Sequence, residues 1–141
     1  MKVERFAVRG REALRSVEKY YLSDPGFRWA EIHSPEPALG HQLENIVYLE
    51  LRRRFPKVSI GKAGDTEVDF GTEKNGEFAY FQVAITVLEP ATLARGLRPF
   101  SQIKDAFPRY LLTMDDLGSG RSLDGVRQFN VIDWLLEAPA G

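Results

Sequence analysis

The stretch EVDFGTEKNGEFAYFQVAIT, Glu67 to Thr86, decides how the rest of the chain is read. Asn75-Gly76 is a favoured dipeptide for a two-residue hairpin turn, because both central positions take positive φ. The flanking runs are rich in aromatic and β-branched residues and predict two antiparallel strands. On the second strand Ala79, Phe81, Val83 and Ile85 point one way, and Tyr80, Gln82, Ala84 and Thr86 the other. On the first, Glu67, Asp69 and Gly71 share a face by the same period. Asp69 and Gln82 then face each other across the hairpin, either as a metal site or as two polar residues on a wet sheet face.

Working outward from the hairpin, the clearest helix follows SPEP, with Pro37 suited to its first turn. Leu39, Leu43, Ile46, Val47 and Leu51 fall on one side at helical spacing, and Pro56 ends the run. Arg52, Arg53 and Arg54 occupy the last turn, where positive charge complements the helix dipole. Glu44 sits at the edge of the apolar stripe, near Val47, Tyr48 and Leu51. KVSIGK predicts a strand leading into the hairpin. Beyond it, the second half of LEPATLARGLRPFSQIKDAFP reads as helical, with Phe100, Ile103 and Phe107 spaced for burial. RYLLTM and VRQFNV read as strands around the loop DDLGSGRSLDG, and Asn130 with Asp133 resembles a capping box for a closing helix at IDWLL.

At the start, residues 1–8 form an edge strand or hairpin arm, residues 11–20 a short helix or turn, and Asp24-Pro25-Gly26 a turn. The expected organisation is an N-terminal strand/helix segment over 1–22 packed on the main domain, an α/β domain over 23–137, and a disordered tail over 138–141. The order of helix, three strands, helix, strand, strand, helix predicts one mixed sheet, with a crossover helix reaching the later strand.

Composition narrows the function classes. The 141 residues are 43% hydrophobic and 28% charged, a globular balance, and the net charge of −1 supplies no global field to attract nucleic acid. A local basic face at Arg52–Arg54 remains a candidate nucleic-acid contact. No cysteine is present, which excludes disulfides and thiolate zinc sites. No apolar run approaches the ~20 residues of a membrane span. The start MKVERFAVRG lacks the apolar core of a signal peptide, so a cytoplasmic protein is expected. Gly118–Ser122, GSGRS, lacks the P-loop lysine and the strand-to-helix setting; it reads as a flexible loop, and no ATP site is expected. His33 reads as a surface residue and His41 as a solvated first-turn histidine that could flank Glu44. Tyr20, Tyr21, Phe27 and Trp29 read as core or docking surface.

A helix carboxylate, a strand carboxylate and a polar residue on the next strand form a metal-nuclease pattern. Magnesium takes oxygen ligands in octahedral geometry and keeps several waters. Asp69, Gln82 and the Val83 backbone carbonyl can supply oxygens, and Glu44 can hold a metal-bound water. The metal would activate that water against a phosphodiester.

The segments KYYLSDPGFR, GHQLENIVYLELRRR, GKAGDTEVDF, YFQVAIT, FPRYLLTMDD and FNVIDWLL, running in order from about Leu14 to Leu136, resemble the DUF4143 domain. That domain follows a P-loop module in bacterial and archaeal AAA-type ATPases and has a PD-(D/E)xK restriction-endonuclease-like fold. The resemblance implies that Glu44 matches the helix glutamate, Asp69 the strand aspartate, and Gln82 the first position of the ExK element. Catalysis in such a site would use Mg²⁺ or Mn²⁺. The sequence departs from the pattern at Ala84, where the motif has lysine, and Lys62 and Lys104 are the candidates to replace it. The implied function is a catalytically weakened accessory domain, nucleic-acid-associated or regulatory, of an AAA-type ATPase system. The alternatives are an active endonuclease on DNA and a purely structural interaction module. A homodimer is a further expectation, through apolar surface that in the relatives meets the ATPase module.

Overall fold

The computed structural model describes residues 2–7, 13–20, 36–63 and 65–137. Its elements are β1 (Lys2–Ala7), β2 (Ala13–Tyr20), α1 (Glu36–Arg54), β3 (Lys57–Ala63), β4 (Thr66–Lys74) and β5 (Glu77–Ala84). They continue as α2 (Pro90–Ser101), β6 (Arg109–Thr113), β7 (Ser122–Leu123), β8 (Val126–Asn130) and α3 (Val131–Leu136). The fold is α/β, with all eight strands in one mixed sheet of order β2-β1-β3-β4-β5-β6-β8-β7.

β3, β4 and β5 run antiparallel as a meander, and β6 then adds to β5 in parallel, reached through α2. β8 joins β6 in parallel, and β1 joins β3 in parallel at the other side. A crossover helix between parallel strands is the expected connection, because two parallel neighbours cannot be joined by a tight turn.

The two faces of the sheet carry separate cores. Under α1, Leu43, Val47 and Leu51 pack with Ile60, Phe70 and Phe81. On the other face Leu93, Leu97 and Phe100 of α2 pack with Val68, Tyr80 and Leu111. Each of these apolar side chains, once fully buried, contributes roughly 1.5–3 kcal/mol. The alternation read along β5 holds: Ala79, Phe81, Val83 and Ile85 join the α1 core, while Tyr80 and Ala84 join the α2 core.

Four local expectations change. Residues 13–20 are strand β2, paired antiparallel with β1, where a short helix or turn was expected. Pairing across the sheet outweighs the weak helical preference of that run. The second helix spans Pro90–Ser101, starting near the beginning of its segment and ending before Ile103 and Phe107, with Pro90 in its first turn. It closes where the Gln102 and Ile103 N–H groups turn back to the Pro99 and Phe100 carbonyls. Lys104, expected on that helix, therefore lies in the loop after it. In that loop Asp105 accepts the buried Tyr80 hydroxyl at 2.5 Å and the Phe107 N–H at 3.0 Å, which pins the path into β6. Finally, the stretch expected to be a flexible loop is held to β8. The Gly120 N–H donates to the Gln128 carbonyl, the Gln128 N–H donates to the Arg121 carbonyl, and Arg121 Nε donates to Gln128 Oε1.

Other local readings stand. Asn75 and Gly76 have φ of 55° and 79°, as the primed hairpin turn requires. Asn130 Oδ1 accepts the Ile132 and Asp133 N–H groups and caps α3. Among the described residues, no helix is long and apolar enough to cross a membrane. The expected 24–26 turn, Tyr21, Phe27, Trp29, His33 and the 138–141 tail lie outside the described residues.

Candidate functional site

The Asp69–Gln82 pair sits where the hairpin ladder ends. β4 and β5 pair regularly from Lys74↔Glu77 up to Phe70↔Phe81, and the next pair would be Asp69 with Gln82. There the side chains take over from the backbone. The Asp69 N–H donates to Gln82 Oε1 at 2.9 Å, and the Val83 N–H donates to Asp69 Oδ2 at 2.8 Å. The two residues thus lock the strands reciprocally just as the regular ladder stops.

The cause lies on the far side of β4. Ser59 pairs with Gly71, while Gly61 pairs with Val68, so Asp69 and Phe70 together oppose Ile60. This is a β-bulge, which bends a strand and re-aims a side chain. Its effect is visible in the cores: Val68 packs under α2, and Phe70, two residues on, packs under α1. The uninterrupted face expected for Glu67, Asp69 and Gly71 is consequently broken at Asp69.

Across the sheet on the α2 face, a buried leucine separates the lock from a second glutamine. Gln82 pairs with Leu111, which pairs with Gln128 on β8. Gln128 is fully buried; its Oε1 takes the Arg121 guanidinium, and its Nε2 has no partner among the described residues. Ala84 stands beside the fully buried Thr113 and packs in the α2 core. A lysine at this position would place its stem among apolar side chains.

The remaining predicted residues are dispersed. Glu44 is half-buried on α1, one turn before Tyr48, whose ring lies 5.9 Å from that of Phe70. Lys62 is exposed on β3, opposite Glu67, and alternation from Val58 and Ile60 gives it the α1 face. Gln82 lies between Tyr80 and Ala84, which pack on the α2 face, so Lys62 belongs to the other side of the sheet. Lys104 is exposed in the loop after α2.

The arginine cluster divides by role. Arg54 Nε bonds Glu50 at 2.7 Å, its Nη2 reaches the Trp134 and Glu137 carbonyls, and the guanidinium lies 4.5 Å over the Trp134 ring. It joins α1 to the end of α3. Arg53 forms a two-point bond with Glu50. Arg53 first, then Arg54, holds the Glu50 carboxyl below its ordinary range against the opposing effect of burial. Only Arg52 keeps the exposed position a phosphate contact needs without either of these bonds. Burial pushes the nearby Tyr48 hydroxyl up in pKa, opposed by Arg52.

As a magnesium site the donor set fits poorly. It offers one strand carboxylate, and both Asp69 Oδ2 and Gln82 Oε1 already accept backbone N–H groups. Among the described residues, no three His, Cys, Asp or Glu form a group that could hold a metal ion. The hydrogen bonds instead give the pair a structural task, holding β4 to β5 across the bulge.

A concave surface that the sequence did not reveal lies at the turn end of the hairpin. A groove of about 850 Å³ opens there, lined by Phe55, Phe81, Tyr110, Arg127, Phe129 and Trp134 among others. The available signal was alternation on β6 and β8, which puts Tyr110, Arg127 and Phe129 on one face.

The chain is 33% identical over 136 residues to an uncharacterised protein of Haemophilus influenzae, a match that covers 96% of this chain. It spans about a third of that protein's length, 33%. No family model matches the chain. No solved structure matches it.

Proposed function

We propose that this is a nuclease-like domain of the DUF4143 kind whose metal chemistry has lapsed, and that it serves an AAA-type ATPase system as a nucleic-acid-associated accessory module. The observation that carries this reading is the reciprocal lock between Asp69 and Gln82, with Ala84 packed where the motif lysine would stand. Element order supports the PD-(D/E)xK arrangement. A helix, an antiparallel three-strand meander, a crossover helix and a parallel strand succeed one another, with α1 and α2 on opposite faces. The bulge at Asp69 is the kind of device that often borders active sites, which suits descent from a metal site. The accessory role is supported by the Haemophilus relative, whose length leaves room for a further module.

The test incubates the protein with plasmid and linear DNA in Mg²⁺ and in Mn²⁺, beside Asp69→Ala. The expected outcome is no cleavage above the variant's background, with DNA binding that weakens as salt rises. Metal-dependent cleavage that Asp69→Ala abolishes would replace this reading with an active endonuclease. Loss of both DNA and metal binding would leave an interaction module.

A further inference from the structure

The described residues cover the α1 face of the sheet only in part. α1 stops at Arg54 before Pro56, and Arg54 ties it to the end of α3, yet the strands of the meander run on past both helices. Thr72 and Ala79, a directly opposed pair of small residues, lie in the floor of the groove left there. Its size of about 850 Å³ falls within the span of ligand sites, roughly 300–1,000 Å³.

We propose that this groove binds single-stranded nucleic acid, with a base lying against Tyr110 and Phe129 and separate backbone phosphates on Arg127 and Lys74. The proposal rests on the nucleic-acid reading above and supplies it with a site. Tyr110 and Phe129 are only half-buried, and their ring centroids are 6.1 Å apart. The Arg127 guanidinium lies 5.1 Å over the Phe129 ring, so a planar cation and flat rings meet on one surface. Bases freed from pairing stack on such surfaces with little regard to sequence, whereas a duplex keeps its bases stacked on each other.

Charge and backbone decide between occupants. Lys74 and Arg127 have no ion-pair partner among the described residues, so both can answer a phosphate. Glu77 and Glu137 also line the groove, which limits its field. Stacking must then carry the affinity, and two phosphate contacts predict a salt slope of only about −1.4. An extended peptide would need an unpaired strand edge, but β5, β6 and β8 each have neighbours on both sides. A proline-rich peptide could use the rings but brings no anion for Lys74 and Arg127.

The groove also lies apart from the lock. Phe81, next to Gln82 on β5, lines the groove from the α1 face, whereas Gln82 lies between Tyr80 and Ala84 on the α2 face, so the two sites occupy opposite faces of the sheet.

Fluorescence anisotropy of the whole chain with a labelled oligothymidylate of roughly 15 nucleotides tests the proposal. The expected result is tighter binding to the oligonucleotide than to a hairpin duplex, with the shallow salt slope given above. Arg127→Glu and Tyr110→Leu should each weaken it about fivefold or more, while Arg95→Glu, exposed on α2, leaves it unchanged. Arg127 is exposed, so its substitution keeps the test decisive should Tyr110→Leu fold poorly. Wild-type affinity in Arg127→Glu, or displacement of the oligonucleotide by a proline-rich decapeptide at lower concentration, overturns the groove as this site. Duplex binding without single-strand preference overturns this inference and spares the broader reading; binding of neither overturns both.

Discussion

The two ends of the β4–β5 hairpin are built by different means. At the turn end, pairing is unbroken from Phe70↔Phe81 to Lys74↔Glu77, and Asn75-Gly76 closes it with positive φ at both positions. At the other end β4 bulges against Ile60, the regular ladder stops, and Asp69 and Gln82 bond each other's strands through their side chains. The turn end is held by local rules. The far end depends on a third strand, because the extra residue in β4 has meaning only relative to β3. Where the backbone ladder gives out, two polar side chains supply the bonds that hold β4 to β5.

Phe70, fully buried, is the residue that joins the two ends of the hairpin. Phe70→Ala should cost about 3–5 kcal/mol in urea unfolding, since it empties the space against Tyr48 under α1. A loss below ~1 kcal/mol would mean that the bulge region is not packed as described. Next comes the lock. Asp69→Ala leaves the Val83 N–H without its acceptor and should cost about 1–3 kcal/mol, while Asp69→Asn, which keeps an acceptor oxygen, should cost clearly less. Equal effects of the two substitutions would sink the structural role of the carboxylate.

At the turn end, Gly76→Ala tests local geometry alone. Nothing lies within 4 Å of the added Cβ, so the cost is backbone strain at φ +79°, about 1 kcal/mol, read as a lowered melting temperature. The smallest expected effect is on the helix clasp beside the groove. The Glu50 carboxyl is depressed in the folded state, chiefly by Arg53 and then Arg54. Its stabilisation is therefore full above the ordinary glutamate pKa of about 4.3 and is lost as pH falls through the lower folded value. Glu50→Gln should flatten that acid limb by a few tenths of a kcal/mol, the scale of solvent-screened pairs. An unchanged limb would remove the clasp as a source of pH dependence.

Much of the chain was legible because its signals are local. Pro37 and Pro56 bracketed α1, Asn75-Gly76 marked the turn, and Asn130 marked the cap of α3. The alternation on β5 correctly divided its residues between the two cores. The misreadings share one cause. Residues 13–20 are a strand because β1 lies beside them, and α2 stops at Ser101 because the rest of its segment carries Asp105 to Tyr80. Tyr80 lies 25 residues from Asp105, and β1, although it directly precedes β2, acts on it only once the two strands pair. The site followed the same division: Asp69 and Gln82 were evident as a pair, but their mutual bonds and the groove beyond α1 were not.

By itself, then, the sequence determined the α/β character, the hairpin, the main helices and the chemical identity of the Asp69–Gln82 pair. It also determined the absence of lysine at Ala84. The tertiary structure decided what that pair does. Where the side chains point depends on the bulge, and the bulge depends on how three strands register, a property of pairings between distant residues. The groove was decided in the same way, by where two helices stop over a sheet that continues past them.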